Sequence, residues 1–126
     1  MNLFPLAKHL QSLGVGVMEK NLFINMIPAN CPQGILLRNN LRGTPIDYEL
    51  PGYYRTGFQV ITRAGSYAAA DALMTKVFKA LTLNEYAIDD HHFIFCRPFT
   101  EPIVFPLSNG NLLEFSAEFD TAFTRG

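Results

Sequence analysis

The sequence predicts an α+β protein, a mainly antiparallel mixed sheet with two helices packed on one face. Three observations lead there. Residues 56–64 alternate as a half-buried strand, and residues 66–81 switch to a helical period across a two-residue joint. The last third of the chain is a series of apolar runs separated by turn residues.

In chain order, Asn2 is placed to cap a first helix in which Leu3, Leu6, Ala7, Leu10 and Leu13 form an apolar stripe. Pro5 falls in its first turn, where a missing N–H is harmless, and Gly14 and Gly16 end it. Residues 21–27 contain the nearly continuous apolar run Leu22, Phe23, Ile24, Met26 and Ile27, stopped by Pro28, which predicts a central strand. After turn chemistry through residues 29–34, Ile35-Leu36-Leu37 resume a strand that Arg38, Asn39 and Asn40 bring to solvent, so a meander is expected. From 42 to 54, Gly43, Pro45, Pro51 and Gly52 predict a long exposed loop. Any strand there, around residues 46–49, is expected to be short and at an edge.

The strand over 56–64 places Phe58 and Val60 on one face and Gln59, Ile61 and Arg63 on the other. Gly65-Ser66 breaks that period, and the Ser66 hydroxyl can accept from a free N–H at a helix start. Ala70, Leu73, Met74, Val77, Phe78 and Leu81 then recur at spacings of three and four, while Asp71, Thr75, Lys76 and Lys79 fall elsewhere. Asp71 lies toward the N-terminus and the two lysines toward the C-terminus, as the helix dipole favours. Tyr86-Ala87-Ile88, the turn Asp89-Asp90 and the run Phe93-Ile94-Phe95-Cys96 follow, with Pro98 and Pro102 ending this short strand. Residues 103–107 and 111–123 flank Ser108-Asn109-Gly110, and Asn-Gly between apolar runs is a strong hairpin signal. In the last segment Leu113, Phe115, Ala117, Phe119 and Phe123 alternate with Glu114, Ser116, Glu118, Asp120 and Thr124, one apolar face and one acidic.

At 126 residues the chain fits one domain, 1–126, which on folding buries roughly two thirds of the unfolded surface. Ten basic against eleven acidic residues, without blocks, give no general attraction to nucleic acid or anionic membrane. The longest apolar stretches fall far short of the ~20 residues of a membrane helix, and no basic leader precedes a long apolar run, so synthesis in the cytosol is expected. Cys31 and Cys96 are then expected to be buried thiols.

No catalytic, cofactor or metal residue emerges. His91 and His92 point to opposite faces of a strand, and His92 lies about 13 Å from Cys96, too far for one ion, with His9 and Cys31 the further ligands such a site would have to recruit. Adjacent Asp89 and Asp90 before a strand read as a solvated turn. Gly14-Val15-Gly16 has Glu19 where a dinucleotide fingerprint needs its third glycine, and Ser66 lacks the glycine spacing of a nucleophile elbow. Arg38, Arg42, Arg55 and Arg63 lie among Tyr48, Tyr53 and Tyr54, a mix that suits a protein interface. The neighbouring Asp47 and Glu49 count against nucleic acid.

The element order, with FQVITRAGSYAAADALMTKVFKAL at its centre and Pro106-Leu107, Asn109-Gly110 and EFSAEF at its end, resembles the tail-terminator and minor-capsid family of tailed phages. The similarity spans most of the chain and rests on fold-level patterns, not on catalytic residues. It implies a small protomer that assembles with itself as a ring, commonly a hexamer, at the head-proximal end of the tail. The ring stops growth of the tail tube protein and offers the docking face for the head-tail connector or neck protein. No cofactor, no membrane and no sequence-specific nucleic acid are implied. The competing readings are a head-tail joining protein of similar fold, a small enzyme using Asp89, Asp90, His91 or His92, and a nucleic-acid-binding module using Arg38, Arg42, Arg55 and Tyr54. An enzyme requires at least two of its four groups to converge in a cleft.

Overall fold

The computed structural model describes residues 1–106 and 112–125. Its elements are α1 (Phe4–Ser12), β1 (Leu22–Ile24), β2 (Gly34–Asn39), β3 (Tyr53–Ala64), α2 (Tyr67–Leu81), β4 (Leu83–Ile88), β5 (His91–Pro98), β6 (Ile103–Pro106) and β7 (Leu113–Arg125). The seven strands form one sheet in the order β1-β2-β3-β7-β5-β4, and β6 also pairs with β7. All pairings are antiparallel except β1 with β2. The architecture is therefore the α+β mixed sheet that the sequence predicts.

The long strands β3 and β7 are the middle of the molecule, paired from Tyr53↔Thr124 to Ala64↔Leu113. Along its other side β7 takes β5 opposite its C-terminal half and β6 opposite its N-terminal end. Side chains on one face, including Phe58, Val60, Phe93, Phe115, Phe119 and Phe123, are fully buried with Leu6, Leu10, Met74 and Val77 of the two helices. Phe58 stacks on its cross-strand partner Phe119 at 5.2 Å, and Phe78 of α2 meets Phe119 edge-on at 5.5 Å. Cys31 and Cys96 are both buried free thiols, and burial pushes the Cys96 thiol up to about 12.

Helix α2 starts as predicted. Ser66 is extended and its hydroxyl accepts from the Ala69 N–H at 3.2 Å, so an otherwise orphan donor of the first turn is satisfied. Helix α1 ends in a Schellman turn. Gly14 takes φ +74, and the Gly14 and Val15 amides return to the Gln11 and Leu10 carbonyls, a conformation in which a side chain would be strained. Asn2 accepts from the Phe4 N–H although Leu3 occupies the cap position.

Several expectations are corrected. The predicted central strand over residues 21–27 is a three-residue edge strand, parallel to β2, so the start of the chain is not a meander. Asn25 at φ 65 ends it, leaving Met26 exposed. Leu13 is exposed beyond the end of the α1 stripe. The long exposed loop expected after Arg42 is present through residue 52, with no strand around residues 46–49. The last strand is not acidic along one whole face: Ser116 and Ala122 are buried there. The Ser108-Asn109-Gly110 turn lies outside the described residues.

Candidate assembly surface

With both helices on one side, the sheet presents its other face outward. Period-two alternation along β3 sends Tyr53, Arg55, Gly57, Gln59, Ile61 and Arg63 to this open face, and along β7 it sends Glu114, Ser116, Glu118, Asp120 and Ala122 there. Arg38 of β2 joins them, donating through Nε to Gln59 Oε1 at 3.0 Å and also through Nη2. Gln59 Nε2 donates onward to Ser116 Oγ at 2.6 Å. The result is a polar ladder across three strands.

Beside it sits a cationic and aromatic cluster. Arg55 and Arg97 lie against the ring of Phe95, 5.3 and 4.3 Å from its centroid. Both reach Asp120, Arg55 at 3.0 Å and Arg97 at 3.8 Å. The hydrogen bond that Arg55 donates to Asp120 holds its guanidinium above its ordinary pKa. Arg55 and Arg97 thus share one carboxylate, with Glu118 on the same face and lining the same groove. Gly57 is part of its floor: a Cβ there would sit 2.9 Å from the Phe119 carbonyl oxygen. An open groove of about 820 Å³ crosses the face between Arg38, Leu41, Arg42, Phe99 and Asp120.

The seven residues singled out from sequence divide. Arg38, Tyr53 and Arg55 are on the open face, and Arg42 and Tyr48 project from the exposed 40–52 loop beside it. Tyr54 faces the opposite way, stacked on Phe123 at 5.3 Å. Arg63 is buried: it donates to Glu114 Oε2 at 2.8 Å and to the Pro28 and Cys31 carbonyls at 3.0 and 3.3 Å, tying the loop before β2 over one end of the face. It is a structural clamp.

Sequence reasoning missed Phe95, Arg97, Phe99, Ile103 and Phe105, which extend the open face along β5 and β6. The register shifts between Phe93 and Phe95, a bulge that puts Phe93 in the core and Phe95 on the open face, although strict alternation assigns both to one side. The Arg97-x-Phe99 spacing after the core residue Cys96 was the available signal.

Of the four acid and imidazole groups, Asp90 and His91 meet and the other two turn to separate partners. Asp89 pairs with Lys8 at 3.1 Å, His92 with Glu85 at 2.7 Å, and Asp90 with His91 Nδ1 at 2.7 Å. That last bond holds the Asp90 carboxyl below its ordinary pKa. The His91 ring stacks against Phe93 and Phe123, with its Nε2 buried and, among the described residues, unbonded. Desolvation lowers the pKa of His9, which packs against Tyr86. Among the described residues no three His, Cys, Asp or Glu side chains are placed to hold a metal. What the surface offers is breadth, exposed aromatics and guanidinium groups, which suit another protein.

Comparison with known proteins gives two findings. The family described as "Bacteriophage tail terminator protein" matches residues 9–125. Among solved structures, a chain of the "Virion of native gene transfer agent (GTA) particle" shares the fold with a TM-score of 0.59 at 14% identity, covering 94% of this chain and 85% of that one. No curated protein sequence matches significantly.

Proposed function

The chain belongs to the bacteriophage tail terminator family, structural proteins of the phage tail and so of the virion, and on that premise we propose that it caps the tail tube as an oligomeric ring. In this reading the protein is made in the host cytoplasm, and 1–126 act as one domain. Copies of it, six in the simplest case, close a ring at the head-proximal end of the tube, stop tube polymerisation and present the docking face for the head-tail connector. The observation that carries the reading is the family match over residues 9–125, nearly the whole chain. The open sheet face is compatible with it, because a ring needs broad surfaces and no reaction centre. Each ring contact is heterologous, so one patch of a protomer meets a different patch of its neighbour.

The test is tube polymerisation in the presence of the purified protein. Tubes should become shorter as its concentration rises, with rings visible at one end by electron microscopy. Arg42→Glu and Arg55→Glu should weaken ring formation or capping by tenfold or more while unfolding at unchanged temperature. Tubes of unaltered length, with the protein bound only to the connector, would replace the capping role by a joining role. Wild-type behaviour of both variants would remove these arginines from the interface.

A further inference from the structure

A sheet edge left unpaired offers a row of free backbone donors and acceptors, and proteins usually blunt such edges. Two of the three edges here are blunted. On β1, Leu22 bridges Met18 and its carbonyl accepts from the Glu19 N–H, so the chain's own turn covers the outer side. On β4, Glu85 takes φ 49 and the pairing is interrupted between Asn84↔Phe95 and Tyr86↔Phe93 without a change of register, a break in a polar edge. Among the described residues nothing protects the third edge in this way. β6 pairs with β7 alone, and Ile103, Val104 and Phe105 are all exposed, with exposed Phe99 just before them.

The molecule also carries a strand pattern without a sheet. In Ile46-Asp47-Tyr48-Glu49-Leu50 three large apolar side chains alternate with two acids, and Pro45 and Pro51 bracket the run. All three apolar residues are exposed, Tyr48 at 87%. Local bonds hold the segment: the Glu49 N–H donates to Asp47 Oδ1, the Leu50 N–H to the Asp47 carbonyl and the Tyr53 N–H to the Leu50 carbonyl. Opening the segment sacrifices at most these three local bonds and frees it for a ladder.

We propose that residues 46–50 of one copy add as a strand to the β6 edge of the next copy, forming the ring contact. This rests on the capping reading above. The two elements cannot meet within one protomer. The loop leaves the sheet where Tyr53 pairs with Thr124, whereas β6 begins opposite Ser116. Those points are eight positions apart on β7, roughly 27 Å at ~3.4 Å per residue. Leu50 is three residues from Tyr53, a tether of about 10 Å. An element at one end of the central strand that fits an edge at the other end makes a head-to-tail contact, the kind that closes rings.

The experiment uses Tyr48→Cys and Ile103→Cys on the full chain, since native Cys31 and Cys96 are buried. Under mild oxidation the chain carrying both should give a ladder of disulfide-linked oligomers, an equimolar mixture of the two single variants a dimer band, and each single variant alone none. Val104→Lys and Tyr48→Asp should each raise the ring dissociation constant tenfold or more without lowering the unfolding temperature. Intact rings with no cross-linked ladder, or rings unaffected by both charge variants, overturn this contact and leave the capping reading standing. A protein that stays monomeric and does not shorten tubes sinks the capping reading, and this contact with it.

Discussion

Arg63 is the side chain whose loss the fold should feel most. Its guanidinium is the shared donor for the Glu114 carboxylate and for the Pro28 and Cys31 carbonyls, in a place where the arginine side chain is only 10% exposed. Removing it leaves a half-dry carboxylate and two carbonyls without a donor, whereas replacing both charges by apolar groups removes the demand as well. Arg63→Ala should therefore cost roughly 3 kcal/mol, a fall in Tm on the order of 10 °C. The pair Arg63→Met with Glu114→Leu should recover most of that loss. Thermal unfolding by circular dichroism measures both, and equal damage from the single and the double replacement would show that the clamp acts through something other than its charges. Arg55, on the same strand and face, is exposed and stands on one carboxylate, so its loss belongs to assembly instead of folding.

Among the elements, the β3–β7 pair depends on a missing side chain. At Gly57 a Cβ would meet the Phe119 carbonyl at 2.9 Å, which is backbone and cannot swing away, so a methyl group must push the two central strands apart. Gly57→Ala should destabilise by about 2 kcal/mol, while Gly65→Ala, with nothing within 4 Å, should be close to neutral. Chemical denaturation of the two variants side by side checks this, and equal midpoints would contradict it. The contrast also shows what the sequence could express. Helix α2 was legible because its cap at Ser66 and its apolar stripe are local patterns. The direction of β1 was not, because parallel pairing with β2 depends on a chain reversal through residues 25–33 that no local period encodes. Nor was the difference between Arg55 and Arg63. Both sit at odd positions of β3, and what buries one is a loop arriving from thirty residues earlier in the chain. The bulge after Phe93 likewise hid Phe95 and the cationic cluster around it.

For the whole molecule, protection of backbone amides should follow distance from β7. The core is one cluster in which both helices pack on Phe58, Phe93, Phe119 and Phe123, so opening the middle of β3 or β7 requires global unfolding, whereas β6 and the 40–52 loop have little packed on them. In the free protomer, amides of β3 and β7 should exchange most slowly, and those of residues 103–105 and 46–48 among the fastest. Ring assembly changes only what it covers. If the loop of one copy pairs with β6 of the next, both segments should slow together by a hundredfold or more, and β4, whose edge is interrupted at Glu85, should keep its rate. Hydrogen–deuterium exchange of the protomer and of the ring makes the comparison on one chain. The joint response matters because a contact that covered the loop against the tube, or β6 against the connector, would slow one segment without the other. Slowing at β4 with β6 unchanged would place the neighbour on the opposite edge of the sheet and reverse the direction in which the ring is built.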